Sequence, residues 1–224
     1  SDAGVTRPTK LNARYPGSFA ALTDKGQVFA WGRGALGMGA NKQEQTVPML
    51  LTSLLREKVV ALAAGWRHVL LLTQDGSVYS YGDNTYGQLG LNTEDAASGY
   101  PKRVSLPRKA TYVAAGAHAS FAALEDGSVY VWGSNQHNIL GLPGVSALKE
   151  PVCHPGLAGG IQQISIAPNG THALALVYST SAVNPSLPAG TVATLYAWGD
   201  NDRGQLGLGS AAAVTPIPSP TPAP

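Results

Sequence analysis

The segment Ala64-Gly65-Trp66-Arg67-His68-Val69-Leu70-Leu71-Leu72-Thr73-Gln74-Asp75-Gly76-Ser77-Val78-Tyr79-Ser80-Tyr81-Gly82-Asp83-Asn84-Thr85-Tyr86-Gly87-Gln88-Leu89-Gly90-Leu91 contains the unit from which the chain is built. His68–Leu72 is a short apolar run, Asp75-Gly76 is a turn dipeptide, and Ser77–Ser80 alternates before ending on Tyr81-Gly82. Two short runs about Asp-Gly predict a β-hairpin. Gly87–Leu91 then forms a glycine-rich return.

The unit recurs four times. Aromatic-Gly pairs stand at Trp31-Gly32, Tyr81-Gly82, Trp132-Gly133 and Trp198-Gly199, spaced by 50, 51 and 66 residues. Each ends a strand-like run, and Gly26, Gly76 and Gly127 mark the turn before the first three. The preceding run Ser18-Phe19-Ala20-Ala21-Leu22 recurs unchanged as Ser120-Phe121-Ala122-Ala123-Leu124, which puts Ser18, His68, Ser120 and His172 at one repeat position. Gly87-Gln88-Leu89-Gly90-Leu91 recurs as Gly204-Gln205-Leu206-Gly207-Leu208, with weaker copies at 34–38 and 138–142, and Pro48, Pro101, Pro151 and Pro216 follow. A short sheet that is apolar on both faces cannot bury them alone, so such units must stack. In that reading the Trp or Tyr fills the gap between neighbours, and Leu89 or Leu206 packs beneath it. Gly90 or Gly207 lets the backbone turn away. The fold class is all-β, a β-propeller.

Composition agrees. Gly contributes 27 and Pro 16 of the 224 residues, which excludes a coiled coil. Apolar residues make up 44%, against wholesale disorder. The net charge of +2 gives no electrostatic case for nucleic acid or chromatin. No apolar run is long enough for a membrane helix. Cys153 is the only cysteine, so no intrachain disulfide can form, which favours a reducing, intracellular compartment.

The pattern Ala-Gly-x-x-His…Leu…Asp-Gly-x-Val-Tyr-x-Trp-Gly-x-Asn-x-x-Gly-Gln-Leu-Gly-Leu-Gly resembles the regulator-of-chromosome-condensation repeat over residues 15–220. The second copy carries it most fully, with Tyr81 in the Trp place, and the fourth keeps Trp198–Asn201 and Gly204–Gly209. The resemblance implies a seven-bladed ring of which this chain holds about four blades. The remaining blades would come from a longer chain or from a second one. Residues 1–215 are read as the propeller portion, and 216–224 as a Pro-rich tail or a connection to another blade. An insertion at about 177–193 replaces the fourth tight turn with loop composition.

Catalytic and ligand chemistry is sparse. Gly32-Arg33-Gly34-Ala35-Leu36-Gly37 matches a dinucleotide fingerprint, but no helix can open at its third glycine before Pro48. The five histidines form no metal-ligand spacing, and Cys153-His154 reads as an ordinary loop pair. The expectation is therefore no enzyme, no cofactor, no metal and no small-molecule substrate. Trp66 and Arg67 are candidate partner anchors, because Trp and Arg dominate binding hot spots. Asn184, Pro185 and Leu187 in the insertion are further candidates. The resemblance implies two functions beyond a noncatalytic protein-interaction scaffold. One is guanine-nucleotide exchange on a Ran-like small GTPase through residues 179–190; the other is chromatin binding. Family members that sense ultraviolet-B carry Gly-Trp-Arg-His in several blades, whereas Gly65–His68 is the one copy here.

Overall fold

The computed structural model describes residues 8–13, 17–41, 44–158, 160–167, 170–179, 192–209 and 217–222. They form four antiparallel sheets of four strands, each in sequential order. The first holds β1 (Pro8–Ala13), β2 (Ser18–Thr23), β3 (Val28–Arg33) and β4 (Glu44–Leu50). The second holds β5 (Val59–Ala64), β6 (His68–Thr73), β7 (Val78–Asp83) and β8 (Ala97–Arg103). The third holds β9 (Ala110–Ala115), β10 (Ala119–Leu124), β11 (Ser128–Ser134) and β12 (Ala147–Ala158). The fourth holds β13 (Gly160–Ile166), β14 (His172–Ser179), β15 (Val192–Gly199) and β16 (Ile217–Pro222). β1 touches β5, β5 touches β9 and β9 touches β13, so the first strands form the inner edge of a propeller arc.

The core lies in the seams between sheets. Leu22, Val28, Leu51, Val69, Leu71 and Tyr81 cluster between the first two sheets. Leu70, Leu72, Val78, Val113, Ala122 and Trp132 cluster between the second and third. Phe121, Val129, Leu140, Ile164, Ala175 and Trp198 cluster between the third and fourth. Successive residues Val69 to Leu72 therefore alternate between two seams, which explains an unbroken apolar run in a strand covered on both faces. Burying one large aromatic removes about 150–250 Å² from water, a gross gain of about 4–6 kcal/mol per seam.

Trp132 and Trp198 are each seated on a loop of the preceding sheet. The Trp132 indole N–H donates to the Gln88 carbonyl at 3.0 Å, and the Trp198 indole N–H to the Ile139 carbonyl at 2.7 Å. A Cβ on Gly90 would lie 2.8 Å from the Trp132 ring nitrogen, so the seat must be glycine. Asn84, Asn135 and Asn201 hold these loops in shape: their Oδ1 atoms accept the backbone N–H of Leu89, Leu140 and Leu206 at 3.1, 2.8 and 3.1 Å. Gly34 occupies that place in the first copy and has no side chain to do so.

The glycine of every aromatic-Gly pair is also obligatory. Gly32, Gly82, Gly133 and Gly199 have φ between +96° and +113°. A Cβ on any of them would strike the carbonyl oxygen of Gly17, Arg67, His118 or Thr171, respectively. Those same carbonyls accept the N–H of the next residue, Arg33, Asp83, Ser134 and Asp200, at 3.0, 2.8, 2.8 and 2.8 Å.

Three readings of the sequence change. First, Ser120 does not share a position with Ser18, His68 and His172. Across the hairpin those three face Gly32, Gly82 and Gly199, whereas Ala119 faces Gly133. The third copy is displaced by one residue, and in a strand one residue changes the face. Phe19 is accordingly 40% exposed while Phe121 is fully buried. The shift turns Ser120 towards the second sheet, where its Oγ donates to the Gln88 carbonyl at 2.8 Å and lies 3.0 Å from His68 Nε2.

Second, the fourth hairpin is longer than the inferred insertion allows. Tyr178 pairs with Ala193 and Ser179 with Val192, so regular pairing continues into the 177–193 span. Residues 180–191 lie outside the described residues. Third, Ile217–Pro222, read as part of a tail or connection, pairs with β15 as the last strand of the fourth sheet. Prolines at alternate positions remove donors from one strand edge only, leaving the other edge able to pair.

Cys153-His154 lies within β12, and His154 is buried. Its Nδ1 accepts the N–H of Gly156 and Leu157 at 3.0 and 2.9 Å, which leaves Nε2 to donate to the Gly141 carbonyl at 3.1 Å. Burial pushes its pKa below the ordinary value, with the Gly141 bond opposing.

The seams and the buried imidazole set measurable expectations. Gly133→Ala should destabilise by about 3 kcal/mol or more, through a positive φ and a backbone collision. Trp132→Phe should cost about 1–2 kcal/mol, through loss of one donor in a packed seam. Urea unfolding measures both. For His154 the unfolded chain takes up its proton near pH 6.5 and the folded chain only at lower pH. Stability should be full above that pH and fall as the pH drops below it. His154→Gln should flatten that acid limb in thermal melts.

Candidate functional site

The loops joining the first to second and third to fourth strands gather at one end of the sheets. Trp66 lies in the β5–β6 loop, 37% exposed. Its backbone N–H donates to the Ala117 carbonyl of the third sheet at 3.1 Å, fixing the loop across the seam. Its ring meets His118 edge to face, with centroids 5.3 Å apart and planes at 73°. Tyr86, in the β7–β8 loop, meets the same imidazole with centroids 4.8 Å apart and planes at 52°. Trp66, His118 and Tyr86 thus form a row of three rings across the second and third sheets.

His118 Nδ1 is buried and has no hydrogen-bond partner. Burial lowers the His118 pKa, Asp83 opposes that shift, and Arg67 adds to it. The net direction favours the neutral ring. Beside it is a cavity of about 210 Å³ lined by Trp66, His118, Ser134, Gln136, His137 and Gly170. His137 Nδ1 lies 3.0 Å from an Asp200 carboxylate oxygen, joining the third and fourth sheets at the same end. His137 and Asn138 have φ of 58° and 54°. Asn138 stands where the other copies place Gly87 and Gly204, and Asn is among the residues that tolerate this region.

The structure places the two described anchor candidates side by side, both exposed. Trp66 lines the hollow towards the third sheet. Arg67 lines a neighbouring one of about 220 Å³ with Leu36, Asp83 and Ser98. Asn184, Pro185 and Leu187 lie outside the described residues. The repeat residues Trp31, Gly32, Tyr81, Gly82, Trp132, Gly133, Trp198 and Gly199 sit on the third strand of each sheet, and Leu89 and Leu206 are buried in the loops after them. Sequence reasoning missed Tyr86, His118 and His137. With the third copy moved by one residue, His118 falls in the place of Arg67, which was the available signal for it. Among the described residues, no three His, Cys, Asp or Glu side chains gather as metal ligands. The arrangement presents an exposed aromatic surface at the loop end of the second and third sheets.

The family model described as regulator of chromosome condensation (RCC1) repeat matches residues 25–72, 75–123, 126–176 and 193–224. A second model with the same description matches 59–88 and 110–139. The first three matches begin near the middle of one sheet and end in the middle of the next. Human E3 ubiquitin-protein ligase HERC2 is 33% identical over 196 residues, covering 83% of this chain and 4% of that protein. The crystal structure of human WBSCR16 matches all of this chain and 54% of its own, with a TM-score of 0.77 and 23% identity. That of yeast RCC1 (Prp20) bound to Kap60 matches all of this chain and 50% of its own, with a TM-score of 0.76 and 24% identity. The chain therefore spans a small part of the curated relative and about half of each solved propeller. At these identities the structural likeness concerns the fold.

The charge environment of the ring row gives a signed expectation. The His118 imidazole resonances should titrate below the ordinary histidine value of about 6.5. Asp83→Asn should lower that midpoint further, and Arg67→Ala should raise it. An NMR titration of the three proteins reads all three directions.

Proposed function

Because the chain belongs to the regulator of chromosome condensation repeat family, we propose that it is a noncatalytic docking module that recognises another protein through the Trp66–His118–Tyr86 row. The observation that carries this reading is an exposed aromatic row held by backbone bonds between two sheets. Trp and Tyr give large contact area with few rotatable bonds, so fixing them in advance reduces the entropy lost on binding. Arg67, in the adjoining hollow, supplies a forked donor for a carboxylate or carbonyl of the partner.

Exchange activity on a Ran-like small GTPase is the alternative reading, with residues 179–190 as the projecting element. It is tested separately by release of a labelled guanine nucleotide from candidate GTPases. Acceleration that disappears when 180–190 is shortened to a tight turn supports it, and no acceleration removes it.

For the docking reading, Trp66→Ala and His118→Ala should each weaken binding of the partner captured by the full chain at least tenfold, about 1.4 kcal/mol. Thermal unfolding should be nearly unchanged for Trp66→Ala. Isothermal titration checks the affinity, and unaltered binding by both variants would sink the assignment of this face.

A further inference from the structure

The ring row occupies one end of the sheets, and the opposite end carries a run of unpaired positive charge. There two hollows repeat one seam apart. The first, about 240 Å³, lies between the β2–β3 turn and the connection from β4 into β5, and is lined by Lys25, Arg56 and Lys58. The second, about 470 Å³, lies between the β6–β7 turn and the connection from β8 into β9, and is lined by Arg103, Arg108 and Lys109.

The two hollows are built alike. Val59 N–H donates to the Gly26 carbonyl at 3.1 Å, and Ala110 N–H to the Gly76 carbonyl at 2.9 Å. Lys58 and Lys109 therefore hold equivalent places, one residue before β5 and β9. A Cβ on Gly26 would lie 2.6 Å from Lys58 Cγ, and one on Gly76 would lie 2.6 Å from Lys109 Cβ, so each lysine stem lies across a turn glycine. The Lys58 carbonyl accepts the Gln74 N–H at 2.8 Å, beside Asp75 of the second hollow, so the two hollows adjoin. The track stops at the turn of the third sheet, where Glu125 and Asp126 follow and Asp126 pairs with Arg108 at 3.0 Å.

The six cations share the hollows with two acids, Glu57 and Asp75. Asp75 is taken up by its own turn: its carboxylate accepts the Ser77 N–H at 3.2 Å and the Ser77 hydroxyl at 2.9 Å. Glu57 accepts the Tyr79 hydroxyl at 3.4 Å. Among the described residues, Lys25, Arg56, Lys58, Arg103 and Lys109 form no ion pair, whereas Arg33, Lys102 and Lys149 are each paired with a carboxylate. All five unpaired cations are exposed. Apolar groups stand between them: Leu55 is 59% exposed, Pro107 is exposed and Leu106 is half-buried. No aromatic ring lines either hollow.

We propose that this track is a second docking surface, and that it takes an acidic protein segment in an extended conformation. Unpaired cations grouped in two hollows call for anionic groups, and the exposed Leu55 and Pro107 call for apolar side chains beside those groups. A protein segment supplies both. A nucleic-acid strand would use the charge alone, because there is no ring on which its bases could stack. Adjacent sheets lie about 10 Å apart, so carboxylates that enter successive hollows stand about three residues apart in an extended chain. The cations draw such a segment in and set its register, and the apolar contacts slow its release. The track and the ring row lie at opposite ends of the sheets, so each binds without the other.

The experiment is fluorescence anisotropy of the 224-residue chain with a labelled peptide in which Glu recurs at every third position among Leu and Ser. The expected result is saturable binding that weakens at least about tenfold when Gln replaces each Glu of the peptide, and by a similar factor when Lys58→Gln and Lys109→Gln are combined in the protein. Added salt should weaken it as well. Leu55→Ser should cost at least about threefold, through lost apolar contact. Trp66→Ala should leave this binding unchanged. If the lysine pair unsettles the turns in thermal melts, Arg56→Gln with Arg103→Gln reads the same hollows away from the turn glycines. Absence of binding by the unaltered chain overturns the proposal, as does binding that survives the cation substitutions in a folded protein. Tighter binding of oligodeoxythymidine that ignores Leu55→Ser overturns it in favour of nucleic acid.

Discussion

The Gln88 carbonyl accepts two hydrogen bonds, from the Trp132 indole and from the Ser120 hydroxyl, and both donors belong to the next sheet. Its orientation depends on a loop whose shape is imposed by Asn84 and whose surface is cleared by Gly90. The Ile139 carbonyl, the Asn135 brace and Trp198 repeat the arrangement one seam later. Polar groups buried in an apolar seam are costly unless paired, so each pairing also fixes the rotation between neighbouring sheets. The apolar clusters supply most of the energy. The carbonyl seats determine which arrangement of the clusters is reached.

The same frame holds the loop end in place. The Arg67 carbonyl accepts the Asp83 N–H, and the Trp66 N–H is held by Ala117, so the 65–67 loop is tied to β7 on one side and to the β9–β10 loop on the other. The aromatic row spans a seam rather than one sheet. Its spacing is therefore controlled by the packing of Trp132 below it, and damage to the seam would reach the surface without touching a surface residue.

Much of this was legible in the residues. The aromatic-Gly pairs, the Asp-Gly turns and the Gly-Gln-Leu-Gly loops are strict backbone requirements, so they recur as identities and announce the repeat. Side-chain contacts between sheets were harder to see. Ser18–Leu22 and Ser120–Leu124 are identical in letters, yet Ser18 stands eight residues before the turn glycine Gly26 and Ser120 seven before Gly127. Counting to the glycine, which the backbone demands, gives the right register. Matching the letters does not. His118 was hidden by that slip, and the seam between His68 and Ser120 with it. His154 was missed for another reason: its partners are backbone groups of Gly141, Gly156 and Leu157, which leave no mark in side-chain identity.

The repeat matched in the sequence and the sheet seen in the fold are out of phase. Residues 75–123 take in the end of one sheet and the start of the next, including the Gly87–Gly90 seat and the strand that leads to Trp132. One repeat unit is therefore not one seam: the Gly87–Gly90 seat lies in one unit and Trp132, which fills it, in the next. Each of the two central units carries the aromatic that fills the seat before it and the seat for the aromatic after it. Units repeated head to tail thus set a seat against an aromatic at every junction.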